Sequence, residues 1–254
     1  MKFLQTLKER NTLLFWFGCI MLIGAITCAI LTQFDHKIIL GINAWIKPMK
    51  FYFSVCIFCW TIAWYLPYLN AVAKARSYSR MLVLMMTIEM IIITWQAANG
   101  RLSHFNTSSP IYAVLFSIMG IAITILAVWT AYIGYLFFKL PATHLDASYL
   151  WGIRLGILFF VIFSFEGGLM ASRLAHTVGA PDGSEGYALV NWSKRYGDLR
   201  IAHFFGMHAL QLLPFSGYYI FKKSLWAIVF SILYGLVVTI IFILALQGLP
   251  VIPS

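Results

Sequence analysis

Seven apolar runs, at about 13–32, 51–69, 81–98, 111–138, 150–171, 201–221 and 225–247, constrain this chain more than any motif in it. At about 1.5 Å of rise per residue, each is long enough to cross a hydrocarbon core of about 30 Å as a helix. Lipid offers no partner to a backbone N–H or C=O, so runs of this length dictate helices. The sequence therefore predicts an all-α polytopic membrane protein. It is a bundle of about seven transmembrane helices with short connectors and one long outer loop, 172–200. With 61% hydrophobic and 10% charged residues, the chain also lacks the polar surface of a soluble domain. Seven spans use most of the 254 residues, so 1–254 reads as a single integral-membrane helical domain.

The net charge of +10 does not point to nucleic acid, because the Lys and Arg residues are scattered over connectors without an interleaved aromatic patch. Membrane lipids are the expected partners. Lys2, Lys8 and Arg10, the Lys74, Arg76 and Arg80 connector, Lys139, and Lys222 with Lys223 fall on one side, which the positive-inside rule makes cytoplasmic. The expected location is a bacterial inner membrane, N-terminus cytoplasmic and C-terminus outside. Lys37, Lys47, Lys50 and Arg101 count against this orientation. Leu13–Leu31 is too long for a signal-peptide core and reads as an uncleaved first span. Residues 34–47 read as an interfacial segment anchored by Trp45 and Lys47.

The four cysteines, Cys19, Cys28, Cys56 and Cys59, lie in apolar runs and read as small buried hydrophobes, the Cys56-x-x-Cys59 spacing notwithstanding. Asn106-Thr-Ser108 matches a glycosylation sequon. No phosphate-binding loop, nucleophile elbow, His-Glu-x-x-His or Cys-x-x-Cys-His is present.

Function is read from ionisable and amide side chains at membrane depth, where an unpartnered polar group is costly. On the sixth run, Arg200, His203, Met207 and Gln211 form one helical stripe with His208 on its flank, and Pro214 follows. On the fifth, Glu166 precedes Gly167-Gly168, with Arg173 two turns on; its depth is expected to match that of His208. The glycine pair suits close helix packing or a helix break at an ion site. Glu89 lies near mid-membrane on the third run, with Gln96 two turns above it and His104 in the connector beyond. Glu89 suits a neutral interhelical hydrogen bond or proton handling.

These positions predict an outward-facing pocket. Glu166, His208, Gln211 and Glu89 are its candidate catalytic groups. His104, His203 and His208 are candidate cofactor ligands, and Glu166, His176, His203 and His208 candidate metal ligands. The donor types suit a transition metal (zinc, iron or copper) or haem b. His208, deeper than His203, is expected to matter more to any such group. Arg101, Arg173, Arg200, Lys47 and Lys50 are candidate contacts to a lipid-phase or anionic small-molecule substrate, although snorkelling to the interface also accounts for the two lysines. The leading expectation is a membrane-embedded metal- or haem-dependent enzyme or redox protein acting on a lipid-phase or amphiphilic substrate. Its alternatives are a proton- or ion-coupled small-solute transporter, with Glu89 and Glu166 as proton sites, and a non-catalytic sensor or assembly subunit.

Overall fold

The computed structural model describes residues 2–140 and 145–251. Eight helices account for most of them: α1 (Lys2–Arg10), α2 (Thr12–Phe34), α3 (Ile46–Tyr65), α4 (Val72–Ala98), α5 (Pro110–Lys139), α6 (Ala147–Arg173), α7 (Leu199–Tyr219) and α8 (Ser224–Leu246). Six of these, α2 to α6 and α8, are long and apolar enough to cross a membrane, α3 together with the short 3-10 turn that follows it. The protein is an all-α integral membrane protein. Its spans turn aliphatic stripes outward, Ile20, Ile23, Ile26 and Ile30 on α2 and Ile232, Leu236, Ile240 and Ile243 on α8, as a lipid solvent requires. The seventh expected span corresponds to α7, a helix of 21 residues. Arg200, His203, His208 and Gln211 lower its hydropathy, which keeps it out of the six.

The chain forms two compact units, Met1–Leu126 and Ala127–Ser254, dividing within α5. In the first, α2 and α3 pack closely, since a Cβ at Gly18 would collide with Trp60 and one at Gly24 with Tyr52. Asn11 caps α2 by accepting from Leu14 N at 3.1 Å and donates to Ser79 of α4 at 2.9 Å. Arg10 holds α1 in place by donating to the Trp64 carbonyl at 2.6 Å while stacking between Trp64 and Tyr68. The 34–47 segment is a hairpin, β1 (Ile38–Ile39) paired with β2 (Ile42–Asn43), whose turn places Leu40 and Gly41 at positive φ. Trp45 is no interfacial anchor. It is buried against Cys28 and Ala97 and donates its indole N–H to Asp35 at 3.0 Å. With the Lys37 ammonium, that indole holds the Asp35 carboxyl down at about 2.

The second unit is organised by α6 and α7, which run antiparallel at backbone contact. A Cβ at Gly152 would stand 2.6 Å from Leu213 O, one at Gly156 2.9 Å from Ala209 O, and one at Gly217 2.4 Å from Ser148 O. Gly206 receives the Phe163 ring in the same way. Gly152-x-x-x-Gly156 is thus a small-residue seam of the kind that brings membrane helices together. Phe163, Ala202 and Val238 of α6, α7 and α8 form a buried cluster beside it. Arg154 joins the end of α5 to α6, donating to the Phe137 carbonyl at 2.8 Å and stacking on Phe138 and Trp151.

The long connector is folded. β3 (Thr177–Val178) pairs with β4 (Gly197–Asp198), and Gly186 with Ser193. It seats on the end of α8, where a Cβ at Gly197 would overlap the Ala245 backbone.

Gly152→Ala and Gly217→Ala are expected to cost several kcal/mol by forcing α6 and α7 apart. Gly120→Ala, with nothing within 4 Å of its new methyl, is expected to be neutral or to stabilise by up to about 1 kcal/mol. Thermal unfolding of the purified variants in detergent checks both.

Candidate functional site

The seam sets the depth of every polar group between α6 and α7. With Phe163 opposite Gly206, and a Cβ at Gly167 only 3.5 Å from His203 Cε1, the register places Glu166 at the level of His203. The expectation that Glu166 shares a depth and a pocket with His208 is therefore corrected. Pairing of Gly156 with Ala209 and Leu210 carries His208 about two turns away, and it leaves α7 on a different side.

Glu166 is 6% exposed, and neither carboxyl oxygen has a hydrogen-bond partner. Next to it, His203 donates its Nδ1 proton to the Phe163 carbonyl at 2.7 Å. His203, and not His208, lies in the α6–α7 contact. The Gly167-Gly168 pair serves no close packing: the Gly167 position allows an ordinary contact, and Gly168 faces open space.

His208 donates from Nδ1 to Gln211 Oε1 at 3.2 Å, and its ring lies 4.3 Å from that of Phe204. With Leu212 and Phe215, the pair lines a pocket of about 310 Å³ that Glu166 does not reach. Phe204, Leu212 and Phe215 are exposed, so this pocket opens on the outer face of α7 and not on the bundle interior. The predicted polar stripe thus runs along the border between the packed and the exposed faces of α7.

The remaining candidates are dispersed. In the first unit, Glu89 is buried in α4, and Lys47 lies in the first turn of α3. Lys50 lies one turn beyond Lys47 in α3. His104 bonds to Ser103 at 3.0 Å and sits among the rings of Phe51, Phe105 and Phe116, while Arg101 stacks on Tyr112. In the second unit, Arg173 is exposed in the last turn of α6. Arg200 is engaged by Asp198 and the Asn191 carbonyl, which occupies the fork expected to bind an anion. His176 donates to Asp182 at 2.6 Å. Among the described residues, no group of three or more His, Cys, Asp or Glu side chains is placed to hold a metal ion. All four cysteines are free thiols. The Asn106 sequon is closed to modification, since Asn106 is buried, donates to the Leu102 carbonyl and accepts from Ser108.

Two aspartates given no role in the sequence analysis build the 172–200 connector. Asp182 accepts from the backbone N–H of His176 and of Thr177 and from the His176 ring. Asp198, fully buried, caps α7 and accepts from Ser193 N and Arg200. Burial pushes the Asp182 carboxyl up, but the His176 side chain, its charge and the two backbone donors prevail and hold it well below the usual carboxylate range. The sequence signal for both was an Asp beside a turn glycine, Asp182-Gly183 and Gly197-Asp198. The chain matches no family model, and no curated protein or solved structure matches it.

A carboxyl held low in the folded state adds stability that is present above its unfolded value, near 3.8, and is lost as the pH falls through the folded value. Asp182→Asn is therefore expected to lower the unfolding temperature at pH 7, with the difference from wild type shrinking as the pH drops below about 4. Melting curves across pH check the sign.

Proposed function

We propose that this protein is a proton- or cation-coupled transporter of small solutes, with Glu166 as the coupling site. The observation that carries the reading is the burial of Glu166 within an apolar span with both carboxyl oxygens unpartnered. A bare carboxylate in that setting costs several kcal/mol, so the site is completed by a proton or a small cation. Exchange of that occupant between the two sides of the membrane is what coupling requires. Gly167-Gly168 adds the second element. Glycine weakens a helix by about 1 kcal/mol relative to alanine, and packing does not require this pair, so α6 is softest beside its ionisable group. The metal- or haem-dependent enzyme is the less supported reading, because its donors, His176, His203, His208 and Glu166, are engaged or placed apart from one another.

In this reading α7 is a seventh crossing helix. Its 21 residues rise about 30 Å, the length of a span. Seven crossings put the termini on opposite sides, and the Lys- and Arg-bearing connectors are the support for reading the N-terminus as cytoplasmic and the C-terminus as outside, as in a bacterial inner membrane. A reporter fused at Ala73 is expected to be active only in its cytoplasmic form; activity on the outer side overturns this orientation.

Proteoliposomes adsorbed to a solid-supported membrane test the coupling site. A pH jump is expected to displace charge in the wild type and in Glu185→Gln, an exposed-loop control. Glu166→Gln, folded by its melting transition, is expected to abolish that displacement. Equal displacement with and without the Glu166 carboxyl overturns the proposal.

A further inference from the structure

The end of the first unit that carries α1 is strongly basic. Lys2, Lys8 and Arg10 of α1 and Lys74, Arg76 and Arg80 of α4 stand there, and Glu9 is the one acid within 2–12 or 66–80. Its carboxylate accepts from Gln5 at 3.1 Å. Two contacts bring these helices together. Asn11, which separates α1 from α2, donates to Ser79, between Arg76 and Arg80, at 2.9 Å. Phe3 stacks on Trp64 at the end of α3, with ring centroids 5.4 Å apart. Lys2, Lys8, Lys74, Arg76 and Arg80 are exposed, and among the described residues neither Arg76 nor Arg80 has an acidic partner. Aromatic rings mark the level of these charges: the Lys8 ammonium lies 5.3 Å from the Trp16 ring, and Arg10 lies between Trp64 and Tyr68. Tryptophan and tyrosine collect at the headgroup level of a bilayer, where lipid phosphates are.

Six cations against one carboxylate call for anionic partners, and basic clusters of this size beside a membrane span attract anionic lipid. Phe3 and Leu4 are exposed on α1 among those charges, as on a helix that lies in the interface, and Trp16 is exposed on the adjoining turn of α2. An anionic phospholipid meets both halves of this surface. Its phosphate suits the guanidinium forks of Arg76 and Arg80, one turn apart on α4, and its acyl chains suit Leu4 and Trp16. Free phosphate would meet only the first half. We infer that Lys2, Lys8, Arg76 and Arg80 bind the headgroup phosphate of an anionic phospholipid, which holds α1 against the membrane surface. The site belongs to the first unit and does not rest on Glu166.

Thermal unfolding of the full-length protein in dodecyl maltoside, with lipid added, reads the site, because a ligand bound only by the folded state raises its melting temperature. Dioleoylphosphatidylglycerol is expected to raise that temperature by several degrees more than an equal amount of dioleoylphosphatidylcholine, and high salt to shrink the difference. The double variant Arg76→Gln, Arg80→Gln is expected to lose most of the difference. Lys37→Gln, at the far end of α2, is expected to keep it. Inorganic phosphate in place of lipid is expected to give no rise. Equal shifts from the two lipids, an undiminished difference in the arginine variant, or a full rise with inorganic phosphate alone overturns the inference. Should the arginine variant fail to fold, Lys2→Gln with Lys8→Gln, both on exposed side chains, takes its place under the same criterion. Melting reads lipid binding and not charge movement, so its failure leaves the Glu166 reading standing. Loss of the Glu166 reading leaves this site untouched.

Discussion

Backbone contact between α6 and α7 is the constraint on which the second unit depends. Lipid gives two helices no hydrophobic reason to associate, so attraction comes from close packing, which Gly152, Gly156, Gly206 and Gly217 make possible. Once those four positions are matched, everything else on the pair is fixed. The Phe163 ring enters the notch at Gly206, His203 comes to the Phe163 carbonyl, and Glu166 is sealed beside them. His208 and Gln211 are turned out by the same rotation. The chemistry available between the helices is thus decided by residues that carry no functional group.

That dependence explains what could be read from the sequence and what could not. Run length marked six of the seven expected spans, and Glu166 and Glu89 lie buried within two of them. The level of Glu166 against α7 is not legible from the helix ends, because the register is set by glycines in mid-helix. Gly152-x-x-x-Gly156 was the available signal. On α7, a stripe of polar residues implied one pocket. A helix face is about 100° wide, however, and the boundary between packed and exposed sides runs through that stripe, parting His203 from His208. The 172–200 connector was legible only as long and turn-rich, since the reach of Asp182 and Asp198 to their donors depends on a folded path that spacing does not encode.

Aromatic faces manage the charges at the helix ends. Arg10 lies between Trp64 and Tyr68, Arg101 on Tyr112, and Arg154 on Phe138 and Trp151. A guanidinium so placed keeps its hydrogen bonds at the membrane border while its flat face meets an apolar ring, which suits a residue on the boundary between two solvents. Arginine is the residue found at all three positions, where lysine would offer a compact point charge. Among the described residues, both carboxyl oxygens of Glu166 and both amide atoms of Gln96 are left without hydrogen-bond partners.

The 172–200 connector carries its own scaffold. Asp182 and Asp198 each gather several N–H donors from within 176–200, and Gly197 locks the segment against the α8 backbone. Its conformational entropy is therefore surrendered during folding and not at the moment of an encounter. A molecule arriving on that side meets a surface already in its final shape, and its residence there is governed by the contacts it makes and by the water it displaces, with no debt of ordering to settle first.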